Sequence, residues 1–223
     1  MKLAHVEIEC QMMLSNQKLF EWIIESPELF SKYVREIVEQ INGGEGRFVL
    51  SEGERELNLS KYAEIIVNPF LLDLNDRRIQ KKMYAELAEL AKGEELFLAT
   101  QEMMAVLRRY FLQLEHASGY ALEIIPEIEV TAIFKAIGIQ IERVEDDFFI
   151  RLLQYIRIMA ELMKKKLVVL VNIRSYLNEF QISQLLEMTA YDEIALLFIE
   201  NVQRDFSEEK IYCIIDKDGC EIY

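Results

Sequence analysis

The sequence contains few of the residues that build metal sites and disulfides. Only two of its 223 residues are histidine and three are cysteine. Cys10, Cys213 and Cys220 are odd in number and lack C-x-x-C spacing. Neither a disulfide framework nor a zinc site is therefore expected, and we predict reduced thiols. His5 and His116 stand far apart in the chain, which disfavours histidine-based acid–base chemistry.

No apolar run approaches the roughly 18 residues that a membrane-spanning helix needs. The N-terminal segment MKLAHVEIEC places Glu7 and Glu9 where a secretion signal requires an uninterrupted apolar segment. Apolar residues nevertheless make up 52% of the chain, which is enough for a substantial core. We therefore expect a folded, cytoplasmic protein with no membrane partner.

Glycine is also scarce, and it is not placed for phosphate binding. A phosphate-binding loop needs glycines that open a helix and are followed by Lys and Ser or Thr. The only glycine cluster, INGGEGRF, follows a predicted helix, and no G-K-[ST] occurs. The buried run LVVLVN ends in Asn172, where nucleotide hydrolases often carry an aspartate that helps to hold magnesium. We predict no functional nucleotide site and no nucleotide cofactor.

Positive charge is in deficit, with 25 Lys and Arg against 39 Asp and Glu and a net charge of −14. Because an acidic surface repels DNA phosphates, DNA binding would require segregated positive charge or a bridging divalent cation. Among the many carboxylates no pairing of a nucleophile with a base stands out. We therefore expect a protein that is not an enzyme.

Periodic patterns in the first third of the chain predict strands and one helix. The alternation in AHVEIE predicts a single half-buried strand, with Ala4, Val6 and Ile8 facing inward. Ser26-Pro27 is typical of a helix start, and Asn42-Gly43-Gly44 predicts the end of that helix. RFVLSEGERELN predicts two strands joined by a turn.

The rest of the chain divides into a helical segment and an alternating segment. Residues 76–91, 94–118 and 129–137 predict helices. A helix over 145–165, closed by three lysines, then precedes the buried strand LVVLVN, a helix over 178–189 and strands at 194–199 and 211–215. We predict an α/β fold in which residues 1–73 and 144–223 form a head with a mixed, partly parallel sheet. Residues 74–143 form an inserted helical leg.

Four segments carry a resemblance to a known family. They are KAIGIQIE, ELMKKKLVVLVN, SYL with the helix after it, and IALLFIE. In this order they resemble the CRISPR-associated Csn2 family of type II-A systems, whose members are needed to acquire new spacers. The likeness is strong over the second half of the chain and looser over the first.

The resemblance implies a head like that of a P-loop nucleotide hydrolase, without its phosphate loop, and a helical leg. It also implies a homotetrameric ring that binds ends of double-stranded DNA and threads the duplex through a positively charged centre. Calcium supports that assembly in the family. The implied partners are the integrase and nuclease subunits of the adaptation machinery and the effector nuclease of the same system.

Three basic clusters are candidates for the DNA-binding surface: Arg77, Arg78, Lys81 and Lys82; Arg108 and Arg109; and Lys164, Lys165 and Lys166. The first four occupy neighbouring parts of one helical face. Each cluster also has a structural interpretation. The arginines and lysines of the leg could pair with nearby acids such as Asp76, Glu86 and Glu89. The lysine triplet could stabilise the C-terminus of a helix.

The resemblance places the calcium site at the end of the second leg helix, and the candidate ligands are Glu115, Glu123, Glu127 and Glu129. Several family carboxylates are replaced here by Ser118, Tyr120 or Leu122. Calcium usually takes six to eight oxygen ligands, so the site is either weakened, completed by backbone carbonyls, or absent.

Two other functions compete with the DNA-binding ring. One is a protein–protein scaffold of the same fold that binds DNA and calcium weakly by itself. The other is a metal-dependent nuclease that uses the acidic clusters.

Overall fold

The computed structural model describes residues 1–15, 19–123, 128–142, 147–204 and 211–222. Contacts divide the chain into two compact units. The α/β unit comprises Met1–Leu74 and Arg143–Tyr223, and the helical unit comprises Asn75–Glu142. The mixed α/β class predicted from the sequence is confirmed.

The described residues of the α/β unit form ten strands in two sheets. They are β1 (Lys2–His5), β2 (Ile8–Met13), β3 (Phe20–Ile24), β4 (Phe48–Glu52), β5 (Arg55–Leu57), β6 (Ala63–Ile66), β7 (Leu167–Val171), β8 (Ala195–Glu200), β9 (Ile211–Ile215) and β10 (Glu221–Ile222). An antiparallel sheet has the order β2-β1-β4-β5. A six-stranded sheet has the order β10-β9-β3-β8-β7-β6 and is parallel except at β10.

Within the described part of the chain, seven α-helices accompany the strands. They are α1 (Pro27–Ile41), α2 (Leu59–Tyr62), α3 (Arg77–Lys92), α4 (Phe97–Ser118), α5 (Val130–Ile137), α6 (Phe148–Glu161) and α7 (Glu179–Tyr191). Short 3-10 turns lie at Pro69–Leu71 and Ile173–Ser175. Among the described residues, no helix has both the length and the apolar character needed to cross a membrane.

The main core lies between the antiparallel sheet, α1 and one face of the six-stranded sheet. Trp22 of β3 is fully buried there, with its ring near those of Tyr33 and Phe48. On the six-stranded sheet α7 packs against β8, and α6 packs against α7. All five residues of β7 are buried, as its uninterrupted apolar run predicted. Each such aliphatic side chain contributes about 1.5–3 kcal/mol when fully buried.

The N-terminal segment differs from the prediction of one strand with Ala4, Val6 and Ile8 inward. It forms two antiparallel strands, β1 and β2, with a turn between them. Leu3 and His5 are the buried residues of β1, whereas Val6 is 77% exposed in the turn. Ile8 is buried as predicted, but the prediction of one strand with Ala4 and Val6 inward was wrong, because a turn follows β1 and tertiary contacts bury His5. His5 Nε2 lies 3.3 Å from Glu36 Oε1, and its ring packs on Tyr33 and Phe48.

The helix predicted over 145–165 is shorter at its C-terminus. Asp147 caps its start, accepting hydrogen bonds from the backbone N–H groups of Phe149 and Ile150. The helix ends at Glu161, so the three lysines follow it rather than close it. The predicted start at residue 145 lies outside the described residues. Half of the segment ALEIIP, where the sequence suggests a short strand, also lies outside them.

In the helical unit, α3 packs against both α4 and α5. The Tyr84 hydroxyl of α3 donates a 2.8 Å hydrogen bond to the Ile139 carbonyl, just beyond α5. The Asn75 side chain exchanges two hydrogen bonds with the backbone of Ile141. These hydrogen bonds therefore hold the segment that follows α5 against the start and middle of α3.

Candidate nucleic-acid interface

The first predicted basic cluster lies on the solvent-facing side of α3. Arg77, Arg78, Lys81 and Lys82, here called the α3 cations, are all exposed. The opposite side of the helix is anchored by Ile79, which is buried. The helix begins where it does because the Asp76 carboxylate accepts hydrogen bonds from the N–H groups of Arg78 and Ile79, at 2.7 and 2.9 Å. The four charges therefore project into solvent from a rigid, capped helix.

A purely structural role would give each α3 cation an acidic neighbour, but among the described residues only Arg78 has one. The Arg78 guanidinium lies 3.3 Å from the Asp76 carboxylate. Within the described residues, Arg77, Lys81 and Lys82 make no ion pair. Three charges on one helix are thus available to an anionic ligand.

Arg77 and Lys81 also line a groove between α3 and α5, which we call the α3–α5 groove. Its volume is about 690 Å³, and its third cation is Lys135 of α5. The polar side chains of Gln80, Thr131 and Gln140 complete its hydrogen-bonding surface. No described residue that lines it is acidic. An acid-free groove with three cations is unexpected in a chain with a net charge of −14.

Both units of the chain are acidic, roughly in proportion to their lengths. The helical unit Asn75–Glu142 has 8 Lys and Arg against 11 Asp and Glu, a net charge of −3. The remaining 155 residues have 17 against 28 and a net charge of −11. The α3 cations are therefore a local concentration of positive charge within a unit that is acidic as a whole.

The second basic cluster lies on α4, where Arg108 and Arg109 are both exposed. Their helix is 22 residues long, yet among its residues only Met104 is buried. Large apolar side chains are exposed along it, and these include Leu98, Val106, Tyr110 and Leu112. Since soluble proteins rarely leave an apolar surface of this extent open to water, α4 has the properties of an interaction surface.

Packing divides the lysine triplet into three different environments. Lys164 is exposed, has a backbone φ of 56°, and pairs with no carboxylate among the described residues. The Lys165 ammonium points inward, donating to the carbonyl oxygens of Ser60 and Ala63 at 2.8 and 2.7 Å. Lys166 pairs with Glu52 at 2.6 Å. Lys165 thus has a structural role, and Lys164 is the triplet residue most accessible to an anion.

The predicted calcium ligands do not gather into a site within the described residues. Glu127 lies outside them. Glu115 accepts a hydrogen bond from the N–H of Leu122, and Glu129 accepts one from the Thr131 hydroxyl. The part of the chain that the structure describes contains no group of three or more His, Cys, Asp or Glu residues able to hold a metal ion. These residues alone do not fit a calcium ion, which needs more oxygen ligands.

A buried charged cluster occupies the carboxyl end of the six-stranded sheet, and the sequence patterns gave no sign of it. The Arg174 guanidinium donates to Glu21 of β3 at 2.5 Å, and the Arg174 N–H donates to Glu200 of β8 at 3.0 Å. Burial, together with the nearby charge of Glu21, raises the pKa of Glu200 to about 7. The side-chain oxygen of Asn172 accepts from the N–H of Asn201, which ties the ends of β7 and β8 together.

Comparison with known proteins finds a matching family model and related proteins. A family model described as CRISPR-associated protein (Cas_Csn2) matches residues 40–219. A CRISPR-associated protein Csn2 from Enterococcus faecalis is 28% identical over 183 residues, and the alignment covers 74% of this chain and 82% of that protein. The matched region contains the α3 cations, Lys135 and the lysine triplet.

Proposed function

The chain belongs to the CRISPR-associated Csn2 family, which implies a role in CRISPR adaptation, and we propose that it is a ring-forming protein that binds ends of double-stranded DNA. The family that the sequence motifs predicted is thereby confirmed. In this proposal four copies form a non-enzymatic ring that threads the duplex through its centre during spacer acquisition. Its protein partners are the integrase and nuclease subunits of the adaptation machinery and the effector nuclease of the same system.

The single observation that carries the proposal is the set of exposed α3 cations, which concentrates four positive charges on one helix. Binding without sequence preference requires contacts to phosphates and none to base edges. Exposed Arg and Lys side chains on a rigid helix are suited to such contacts. Arg109 and Lys164 are the best placed of the other predicted cations, whereas Lys165 is left out because its ammonium is buried in protein contacts.

The apolar surface of α4 supports the proposed assembly. Exposed side chains such as Val106, Tyr110 and Leu112 would lose their contact with water in an interface between copies. A ring would also bring several copies of the α3 cations to one duplex. The combined charge would then act over many phosphates, although each chain is acidic as a whole.

Calcium is a separate part of the proposal, and no step of DNA binding proposed here passes through it. The family resemblance assigns it to Glu115, Glu123, Glu127 and Glu129. Binding of ⁴⁵Ca²⁺ to the full chain, compared with a Glu115→Gln/Glu129→Gln variant, tests this assignment. Equal binding by both proteins would exclude these two glutamates as ligands.

A scaffold that binds its protein partners and holds DNA weakly is the second candidate. The observation that favours it is an exposed cluster of aromatic rings in the α/β unit. Phe70, Phe148 and Tyr176 lie with ring centroids 5.0–6.4 Å apart. Phe70 and Tyr176 are about half exposed, and such rings are frequent at protein interfaces.

A gel-shift series with linear and covalently closed circular duplexes of equal length separates the candidates. We expect only linear DNA to bind, with or without calcium, and its affinity to fall steeply as salt rises. Equal binding to both forms would contradict threading. Binding that requires the protein partners would favour the scaffold, and loss of linear DNA in magnesium or manganese would indicate a nuclease.

Replacing all four α3 cations by alanine tests the residue assignment. We expect the affinity for linear DNA to fall by at least about tenfold, and the slope of log affinity against log salt to decrease by about 0.9 for each lost phosphate contact. The matched control is Arg35→Ala/Lys217→Ala, which removes two exposed cations from the α/β unit. The assignment is wrong if both variants lose the same affinity.

A further inference from the structure

We propose that the α3–α5 groove is a binding site for a phosphate monoester, held by Arg77, Lys81 and Lys135. This inference adds a specific site to the proposed function. It rests on that function only in naming the source of the ligand, which is the 5′-phosphate of a DNA strand. A free nucleotide offers the same chemical group. The experiments below therefore distinguish these two sources.

The groove brings together charges that are distant in sequence. Arg77 and Lys81 are one helical turn apart on α3, and therefore lie on the same face of that helix. Lys135 comes from α5, more than fifty residues later in the chain. It reaches the groove because the ring of Phe134 packs near that of Tyr84, with centroids 6.1 Å apart. The three cations consequently approach one space from two walls.

The surroundings of the three cations favour an anion over a mixed ion-pair network. Among the described residues no carboxylate lines the groove, whereas Gln80, Gln140 and Thr131 offer neutral hydrogen-bonding groups. Arg77, Lys81 and Lys135 make no ion pair within the described residues. No described residue therefore neutralises their charges, in contrast to Arg78, which pairs with Asp76.

A phosphate monoester matches this site in both charge and size. At neutral pH a monoester carries a charge of about −1.5 to −2, against −1 for a diester within a strand. Three cations therefore gain more from a strand end than from the middle of a strand. The groove volume of about 690 Å³ also leaves room for the attached nucleoside.

The walls are held in place without the ligand. The Tyr84 hydroxyl bonds to the Ile139 carbonyl at 2.8 Å, and Asn75 bonds to both backbone groups of Ile141. These bonds fix the chain just after α5 and so hold the wall that carries Lys135. Binding would consequently order few additional groups, which favours affinity.

The first experiment compares duplexes of one sequence and length that end in either a 5′-phosphate or a 5′-hydroxyl. We expect the phosphorylated duplex to bind the native protein about fivefold to tenfold more tightly. Lys135→Ala and Lys81→Ala should reduce this ratio to about one. Lys82→Ala is the matched control, because Lys82 is adjacent to Lys81 and exposed but does not line the groove. It should weaken both duplexes and preserve the ratio.

The second experiment makes the outcome independent of DNA binding. Adenosine 5′-monophosphate, adenosine and inorganic phosphate are titrated into the full chain by isothermal calorimetry. We expect binding heat from adenosine 5′-monophosphate but not from adenosine. This heat should be lost in Lys135→Ala and kept in Lys82→Ala. Failure of every duplex to bind would overturn the proposed function, while this titration would still test whether the α3–α5 groove binds a phosphate monoester. A native ratio of one for the two duplexes, together with nucleotide binding, would assign the groove to free nucleotides.

The proposal is overturned if neither phosphate ligand binds and the duplex ratio is one. It is also overturned if Lys135→Ala and Lys82→Ala change the ratio equally. In that case the three cations would contribute only to the overall electrostatic field of the helical unit and would not form a specific site.

Discussion

The Arg174 guanidinium lies 2.5 Å from a carboxylate oxygen of Glu21, and both side chains are almost completely removed from solvent. Arg174 follows β7 and Glu21 belongs to β3, two strands that are separated in the sheet by β8. The pair therefore spans the middle of the six-stranded sheet at its carboxyl end. A buried pair of this kind is costly to break, because the remaining charge has no water to solvate it.

Arg174→Met should destabilise the fold by about 3 kcal/mol or more, since it leaves the Glu21 carboxylate buried without its partner. Urea unfolding followed by circular dichroism measures the change. The double variant Arg174→Met/Glu21→Gln removes both charges and should recover a large part of the loss. A single variant as stable as the native protein would contradict the interpretation.

Glu200 should make stability depend on pH. Burial raises its pKa from 4.5 to about 7, so folding favours the protonated form. The contribution to stability is thus fully present below pH 4.5 and is lost as the pH rises through about 7. Hydrogen bonding from the Arg174 N–H and the charges of Arg204 and Arg174 act in the opposite direction but are weaker.

Glu200→Gln removes this titration and keeps a side-chain oxygen for the Arg174 N–H. The difference in unfolding free energy between the variant and the native protein should be small at pH 4.5. At pH 8 it should reach up to about 3 kcal/mol in favour of the variant. Chemical denaturation at both pH values gives this difference. A difference that does not change with pH would show that Glu200 titrates normally.

Lys164 and Lys165, which are neighbours in sequence, should respond oppositely to substitution. Lys165→Met should destabilise the α/β unit by about 2 kcal/mol, because the carbonyl oxygens of Ser60 and Ala63 lose a charged donor. Lys164→Met should change stability by less than about 0.5 kcal/mol. Thermal unfolding of the two variants under identical conditions is the measurement. Equal losses would mean that the inward position of Lys165 has no energetic consequence.

Local sequence signals predicted most elements of the fold. Ser26-Pro27 marks the start of α1, where the Ser26 hydroxyl accepts from the Leu29 N–H. The predicted turn at Glu52-Gly53 joins β4 and β5, and the apolar run LVVLVN gives β7. These features depend on caps, turns and burial on both faces of a strand. Such signals act over a few residues and can be read without knowledge of the tertiary structure.

The sequence did not predict features that depend on contacts between distant segments. His5 is buried because Glu36, Tyr33 and Phe48 surround it, and this reverses the expected burial pattern of β1. In the candidate site, Lys135 joins Arg77 and Lys81 only because α5 packs against α3. The lysine triplet is uniform in sequence, yet packing gives each lysine a different environment. No pattern in the sequence encodes these differences.

The exposed surface of α4 gives a direct test of the proposed ring. Val106 is 59% exposed, so Val106→Glu should leave the folded chain intact, as circular dichroism can verify. In an interface between copies, however, the new carboxylate would be buried without a partner. Sedimentation velocity should then show the native protein as a tetramer and the variant as smaller species.

Gln113→Glu is the matched control for that variant, because it adds the same charge at an exposed polar position of the same helix. It should remain tetrameric. If Val106→Glu also remains tetrameric, this part of α4 is not the interface between copies. If it dissociates, preference for linear over circular DNA should disappear with the ring. The α3 cations would still bind phosphate, but a single chain has no closed centre that requires a free DNA end.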